Sequence, residues 1–393
     1  MKFLSIVGAR PQFIKLSPLC RAIDTYHSAP TGEVIKSIIV HTGQHYDYEL
    51  SKVFFDQMRI PTPNYDLEVG SASHGQQTGA MLEKIEEVLF TEKPDIVIVF
   101  GDTNSTLAGA LAASKLHISV AHVEAGLRSY NKKMPEEINR VITDHVSTLL
   151  FCPTERAVSN LQREGFSNIL DRLPPSEEMP MILENISPSN PLVIKTGDIM
   201  YDAFLFNERL AQQSSTVLRD LSLTPRKYAL LTIHRAENTD DRASLEKIIT
   251  FLKTEEIKYP IIFPVHPRTK KNILELSIGF PNAIQMIPPV SYFDMLILEK
   301  NAHSIYTDSG GVQKEAFFLK VPCVTLRDET EWTETVESGW NRLMNDSRAT
   351  TTKTTPAGRM DPFPFGDGKA AEHHLQILIR YYQSQSDGVK QTT

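Results

Sequence analysis

Short, wholly apolar runs recur along the chain, and each ends in a polar or glycine-rich turn followed by a segment of helical period. Phe3–Val7, Ser37–Val40, Asp95–Phe100 and Ser119–Val123 set this rhythm in the first half. Tyr228–Ile233, Ile261–Val265, Ser304–Tyr306 and Pro322–Leu326 repeat it in the second. A strand with one face in water alternates polar and apolar residues. A strand apolar throughout is buried on both faces, as in a parallel sheet covered by helices. Strand and helix alternating through both halves predict an α/β protein of two Rossmann-like, doubly wound domains. A length of 393 residues fits two domains at roughly 150 residues each.

Residues 171–195 read as a linker, because Asp171–Glu178 and Ser187–Pro191 are rich in proline and serine and lack a helical period. The expected division is a first domain over 1–170, a second over 196–368, and a closing helix within 369–393 that ends near Gln385. The stretch Arg348–Phe365 reads as irregular.

Charge and cysteine content exclude several classes. Forty-one basic residues against 48 acidic ones give a net charge of -7, so there is no basic excess for nucleic acid. The 3 cysteines, Cys20, Cys152 and Cys323, lie far apart, which excludes a disulfide scaffold and a cysteine-rich zinc site. The first apolar run stops at Gly8-Ala9 and meets Arg10, too short for a secretory signal. No stretch approaches the ~18 apolar residues that a membrane span needs. The expectation is a soluble, cytoplasmic protein.

In open α/β sheets, ligands bind beyond the carboxyl ends of the strands, so the turns there carry the functional weight. Gly8-Ala9-Arg10-Pro11-Gln12-Phe13-Ile14-Lys15 offers Arg10 and Lys15 to an anion, or simply a surface Arg and Lys at a helix start. In Gly101-Asp102-Thr103-Asn104-Ser105-Thr106, Asp102 is a helix cap, a general base, or the holder of a basic partner. His122–Arg128 brings Glu124, and Met134-Pro135-Glu136-Glu137-Ile138-Asn139-Arg140 brings Glu136. Pro135 suits the first helical position, where carboxylates favour the dipole, and Arg140 stands four residues from Glu136, the spacing of an ion pair. Against those structural roles stands the supply: Asp102, Glu124 and Glu136 are all at carboxyl-end turns of one domain. Carboxylates that share a site can divide acid and base work.

In the second domain, Asp308-Ser309-Gly310-Gly311 opens a helix after a buried strand. Its glycines let backbone N–H groups approach an anion, although no Walker sequence follows. Glu315, one turn in, is placed to reach a ribose diol. His234, beside Arg235, suits a diphosphate or acid–base role, with a cap or core position as the alternative. His266 reads as structural, and His41 and His45 flank a loop, which gives no metal pair. No GxGxxG follows the first strand, which disfavours a nicotinamide enzyme.

Taken in order, these turns resemble the non-hydrolysing UDP-N-acetylglucosamine 2-epimerase family, together with His41-Thr42-Gly43-Gln44-His45 and Gly366-Asp367-Gly368-Lys369. The resemblance runs through nearly the whole chain. It implies a GT-B fold, two Rossmann-like domains facing across a cleft with UDP held by the second. It also implies a homodimer, a UDP-sugar substrate, and no metal or redox cofactor. The implied chemistry is elimination of UDP across C1–C2 to a 2-acetamidoglucal, then re-addition with C2 inverted. By the same resemblance, Asp102, Glu124 and Glu136 are acid–base carboxylates and His234 lies near the diphosphate. Arg10, Lys15 and Arg140 are cationic partners, while Ser309, Gly310, Gly311 and Glu315 hold phosphates and ribose.

Some phrases depart from the common pattern. Trp332 follows Arg327-Asp328-Glu329-Thr330-Glu331 where many members have Arg, and Thr196-Gly197-Asp198-Ile199-Met200-Tyr201-Asp202 is unusual. Both resemble the branch that acts on UDP-2,3-diacetamido-glucuronic acid, as does Gly311–Phe318. A uronate carboxylate needs a cation, and Arg128, Lys132 and Lys133 precede Glu136 in sequence. Some members are activated by a second substrate molecule through Gln residues after the HTGQ turn; here Gln44 is followed by His45-Tyr46-Asp47. A hydrolysing epimerase, a GT-B glycosyltransferase and a catalytically inactive UDP-sugar sensor are the remaining readings. Retention of all three carboxylates counts against the sensor.

Overall fold

A computed structural model describes residues 1–29, 34–43, 58–175, 178–183, 185–255, 257–276, 278–346 and 363–391. The chain divides into two compact units: Met1–Ala203 with Pro362–Thr393, and Phe204–Asp361.

Unit 1 is built on eight strands: β1 (Lys2–Val7), β2 (Lys36–His41), β3 (Tyr65–Asp66), β4 (Ile96–Phe100), β5 (Ser119–Val123), β6 (Leu149–Cys152), β7 (Ile169–Leu170) and β8 (Leu192–Lys195). Their order is β3-β2-β1-β4-β5-β6-β8-β7, and every pairing is parallel. Leu4, Ile6, Ile38, Val40, Val97 and Val99 occupy alternate positions and so share one face. That face packs on Met81, Ile85, Val88 and Leu89 of the helix His74–Glu92 and on the alanines of the helix Asn104–Lys115. The alanine-rich helix lies close to the sheet: a Cβ on Gly109 would stand 2.7 Å from Ile6 Cδ1. Each fully buried Val, Leu or Ile here stabilises the unit by about 1.5–3 kcal/mol relative to exposure.

Unit 2 repeats the plan with β9 (Ala229–Thr232), β10 (Ile261–Pro264), β11 (Ile284–Ile287), β12 (Ser304–Thr307), β13 (Cys323–Thr325) and β14 (Asn341–Leu343). The order is β11-β10-β9-β12-β13-β14, again parallel throughout. Leu231, Phe263, Tyr306 and Val324 pack against Leu245, Ile248, Ile249 and Leu252 of the helix Arg242–Thr254. Within each sheet the order reverses at an inner position, β1/β4 in the first and β9/β12 in the second, and a ligand crevice forms at such a reversal.

The expected linker differs from what is seen. Leu192–Lys195 is a buried strand paired with β6, and the chain leaves unit 1 at Ala203/Phe204, inside the helix Ile199–Ser214. Proline and serine break the helical period before β8, but Leu-Val-Ile satisfies a sheet position. The last helix extends to Gln391, beyond the expected end near Gln385.

That helix belongs to unit 1 and lies beside the helix Arg10–Ser28. His374 Nε2 meets Thr196 Oγ1 at 2.8 Å while its ring stacks on Phe151, and the Ala371 amide donates to Asp202 at 2.8 Å. Two of the family-like phrases meet here. Gly197 and Gly366 both take positive φ, 91° and 88°, and a Cβ on Gly366 would lie 2.9 Å from Gly197 Cα. Thr196-Gly197-Asp198 and Gly366-Asp367-Gly368-Lys369 are therefore a structural joint. Most of 348–365 and the residues Gln44, His45, Tyr46 and Asp47 lie outside the described residues.

Candidate active site

In unit 1 the turns after β1, β4 and β5 converge. Lys15, on the helix Arg10–Ser28 that follows β1, is buried and pairs with Glu124 Oε2. Gly101, at the tip of β4, lies against that pair: a Cβ there would stand 2.9 Å from Lys15 Nζ and 3.3 Å from Glu124 Oε2. Gly101 takes φ 65° and Glu124 φ 76°. For a Glu that backbone is costly and persists only where the surroundings over-determine it, as they do at functional turns.

Asp102 is gripped by Arg140, whose Nε and Nη2 lie 3.1 and 2.7 Å from its Oδ2. Its side chain stays 32% exposed while that of Arg140 is only 3% exposed. Asp102 is not a helix cap. Thr103 caps the helix Asn104–Lys115 by accepting from the Thr106 amide. Arg140 does not pair with Glu136 either; its Nη1 reaches Glu137 at 2.7 Å. Glu137 is buried and accepts further from the Ser129 and Tyr130 amides and the Ser129 hydroxyl. Burial raises the Glu137 carboxyl, but those bonds and the Arg140 charge outweigh it and hold it below the usual range. Glu136, in the first turn of the helix Pro135–Val146, is exposed. Arg10, the first residue of its helix, is exposed as well.

Lys15 and Arg140 are thus committed to carboxylates, where the sequence left them open to an anion. Arg128 is likewise committed: it donates to Asp144 at 2.7 Å and forks onto Glu164 through two 2.7 Å bonds. With 1% of its side chain exposed, it is excluded as a partner for a substrate carboxylate. Lys132 and Lys133 are exposed.

In unit 2 the turns after β9 and β12 are tied together by Asp308, which is fully buried. It accepts from the His234 and Arg235 amides and from Asn238 Nδ2 at 3.0–3.2 Å. His234 turns Nδ1 towards it at 3.3 Å while 52% of its side chain stays exposed, so it is neither a cap nor a core histidine. Ser309 caps the helix Gly310–Phe318. A Cβ at Gly310 would stand 2.7 Å from Glu331 Oε1, whereas Gly311 has only Ser309 Oγ nearby, at 3.8 Å. Glu315 is buried and accepts from the Tyr292 hydroxyl at 2.9 Å. Glu331 pairs with Arg327 at 2.9 Å, and Lys314 Nζ sits 3.8 Å over the Trp332 ring. His266 caps the helix Pro267–Glu275 by accepting from the Arg268 amide. Among the described residues, no group of three or more His, Cys, Asp or Glu is placed to hold a metal ion. No helix there is long and apolar enough to cross a membrane.

Comparison with known proteins establishes the family. The family model for UDP-N-acetylglucosamine 2-epimerase matches residues 30–379. The chain belongs to the UDP-N-acetylglucosamine 2-epimerase family. It is 49% identical to a UDP-N-acetylglucosamine 2-epimerase homolog of Methanococcus maripaludis, over 96% of this chain and 99% of that one. It is 44% identical to the UDP-2,3-diacetamido-2,3-dideoxy-D-glucuronate 2-epimerase of Pseudomonas aeruginosa, over 97% and 100%. The crystal structure of Methanocaldococcus jannaschii UDP-GlcNAc 2-epimerase with UDP-GlcNAc and UDP superimposes with a TM-score of 0.78 at 44% identity, covering 96% of this chain and 99% of that one. The fold is the two-domain GT-B type, and the chain is an isomerase by family.

Sequence reasoning missed several supports. Gln12 is buried; its Oε1 accepts from the Gly8 and Ala9 amides, and its Nε2 donates to Phe100 O and Thr106 Oγ1. It ties the β1 turn to the β4 turn. Glu137 was passed over for its neighbour, and Asp144, seven residues further on, carried no signal beyond the periodicity of its helix. A buried face that carries Glu137, Arg140 and Asp144 was the available clue.

Proposed function

We propose that the chain is a non-hydrolysing UDP-N-acetylglucosamine 2-epimerase that interconverts UDP-GlcNAc and UDP-ManNAc. The observation that carries this reading is the pair of differently partnered carboxylates at one strand-order reversal: Glu124 on the ammonium of Lys15, Asp102 on the guanidinium of Arg140. A carboxylate takes the proton from C2 while the C1–O bond breaks and its electron pair leaves with UDP, which forms the 2-acetamidoglucal. The UDP oxygen then re-adds at C1, and a second acid delivers a proton to the opposite face of C2. Inversion therefore needs at least two acid–base groups in different settings, and Asp102, Glu124 and Glu136 supply them. In unit 2, Ser309, Gly310 and Gly311 offer backbone N–H groups to phosphate, His234 lies beside the diphosphate, and Glu315 takes the ribose diol. Arg10, exposed at the start of its helix, adds positive charge for the leaving group.

A second reading, UDP-2,3-diacetamido-glucuronate as substrate, is favoured by the Pseudomonas aeruginosa relative and by Lys132 and Lys133, exposed on the segment before Glu136. The reading carries with it a cytoplasmic homodimer that works without metal or redox cofactor. Incubation with each UDP-sugar and product analysis tests it. The expected product is a C2-epimeric UDP-sugar with UDP still attached. Free N-acetylmannosamine with UDP, or sugar passed to an acceptor, would replace this reading with a hydrolase or a glycosyltransferase.

A further inference from the structure

His122 is fully buried on β5, and both its ring nitrogens face acceptors. Nδ1 is 2.6 Å from Asp144 Oδ1 and Nε2 is 2.8 Å from the carbonyl oxygen of Gly101. A carbonyl oxygen can only accept, so Nε2 must carry a hydrogen for that contact to be a bond. Asp144 is held ionised. Full burial raises its carboxyl, but the charges and hydrogen bonds of His122 and Arg128 outweigh that and hold it below the usual range. Its second oxygen already accepts from Arg128 Nη1 at 2.7 Å and from the Gly126 amide at 3.1 Å. Nδ1 and Asp144 Oδ1 share a hydrogen across 2.6 Å, so the ring bridges the Gly101 carbonyl and the Asp144 carboxylate at once.

One contact falls directly on the Asp102 turn, and the other reaches the Glu124 turn through Asp144, whose second oxygen holds the Gly126 amide. The Gly101 carbonyl belongs to the peptide that leads into Asp102, and Gly126 closes the turn that begins at Glu124. Glu124 takes φ 76°, a costly backbone for a residue with a side chain, and so its turn needs external restraint. We propose that His122 is a positioning residue: bonded at once to the Gly101 carbonyl and to Asp144, which in turn holds the Gly126 amide, it clamps the Asp102 turn and the Glu124 turn at a fixed separation. This rests on the epimerase reading only for its effect on turnover; the clamp itself is a statement about the resting protein.

The test has two arms. In histidine-labelled wild-type protein at pH 7.5, nitrogen–proton NMR should show a slowly exchanging His122 Nε2 proton held by the Gly101 carbonyl and a strongly downfield proton between Nδ1 and Asp144. Its assignment comes from loss of the signals in His122→Gln or from displacement of the Nδ1 proton in Asp144→Asn. A bare Nε2, or ring protons that exchange freely with solvent, would overturn the clamp. In the second arm, His122→Gln, which cannot donate in both directions, should lose about 10–100-fold in kcat per folded molecule while KM for the UDP-sugar stays within about threefold. Unchanged kcat, or a loss confined to KM, would refute the positioning role. Should His122→Gln fail to fold, Asp144→Asn serves in the same kinetic assay. Wild-type protein with no epimerase activity would defeat the functional reading alone and leave the NMR result standing.

Discussion

Arg140 holds Asp102 through two nitrogens on one oxygen, at 2.7 and 3.1 Å, and anchors its own third nitrogen on Glu137 at 2.7 Å. One guanidinium thus joins a half-exposed carboxylate to a buried one, and fixes the orientation of the outer group through the inner.

Replacing Arg140 by Lys should therefore cost turnover rather than binding. An ammonium is a single point charge and cannot hold Asp102 and Glu137 in that fork geometry. We expect kcat to fall at least ~10-fold with KM little changed, and Asp102→Asn to fall ~10²–10⁴-fold, the usual contribution of a positioned acid or base. Steady-state kinetics on both variants checks this; Arg140→Lys within twofold of wild type would contradict it.

Glu136 and Glu137 should separate cleanly although they are neighbours. Glu136 is exposed, so Glu136→Gln should melt with wild-type protein while losing most of its turnover. Glu137→Gln removes the charge that Arg140, Ser129 and Tyr130 bind, and should lower stability by ~3 kcal/mol because it leaves a buried cation underpaired. Denaturant melts beside activity assays decide between them. A Glu136→Gln enzyme with full activity would remove Glu136 from the catalytic set.

The two parallel sheets and the turns at their strand ends were legible in the sequence because wholly apolar strands demand burial on both faces. Ser119–Val123 was read with the boundaries that the structure shows. Which partner each charge takes was not legible. Arg140 reads as an i,i+4 partner of Glu136, yet the buried face of its helix turns Glu137 inward. Arg128 reads as a spare cation, but Asp144 and Glu164 reach it only through the fold, from residues 16 and 36 positions away. The β8 strand was hidden because the composition before it is that of a loop, and tertiary pairing with β6 overrode that signal.

His374 predicts how unit 1 responds to acid. Burial holds its imidazole neutral, lowering it from 6.5 to about 3. The unfolded chain protonates near 6.5, so the stability from burying neutral imidazole is complete above that pH and drains as the pH falls towards 3. By pH 5 the loss should reach about 2 kcal/mol. Melting curves from pH 7.5 to 5 should fall more steeply for wild type than for His374→Gln; parallel curves would contradict the assignment.

Lys132 and Lys133 test the choice of substrate. If the uronate is the preferred sugar, replacing both with Gln should weaken kcat/KM for it far more than for UDP-GlcNAc, since a carboxylate left unpaired on binding costs several kcal/mol. Equal losses on the two substrates would leave UDP-GlcNAc as the substrate.

The proposed chemistry inverts C2 through elimination and re-addition, with protons exchanged at protein carboxylates. Turnover of the UDP-sugar in deuterium oxide, followed by proton NMR at C2, tests it most directly. The account predicts an epimerised product, UDP still attached, that carries deuterium at C2. An epimer that keeps the substrate's own hydrogen there would show an internal hydride return, and the elimination mechanism would fall.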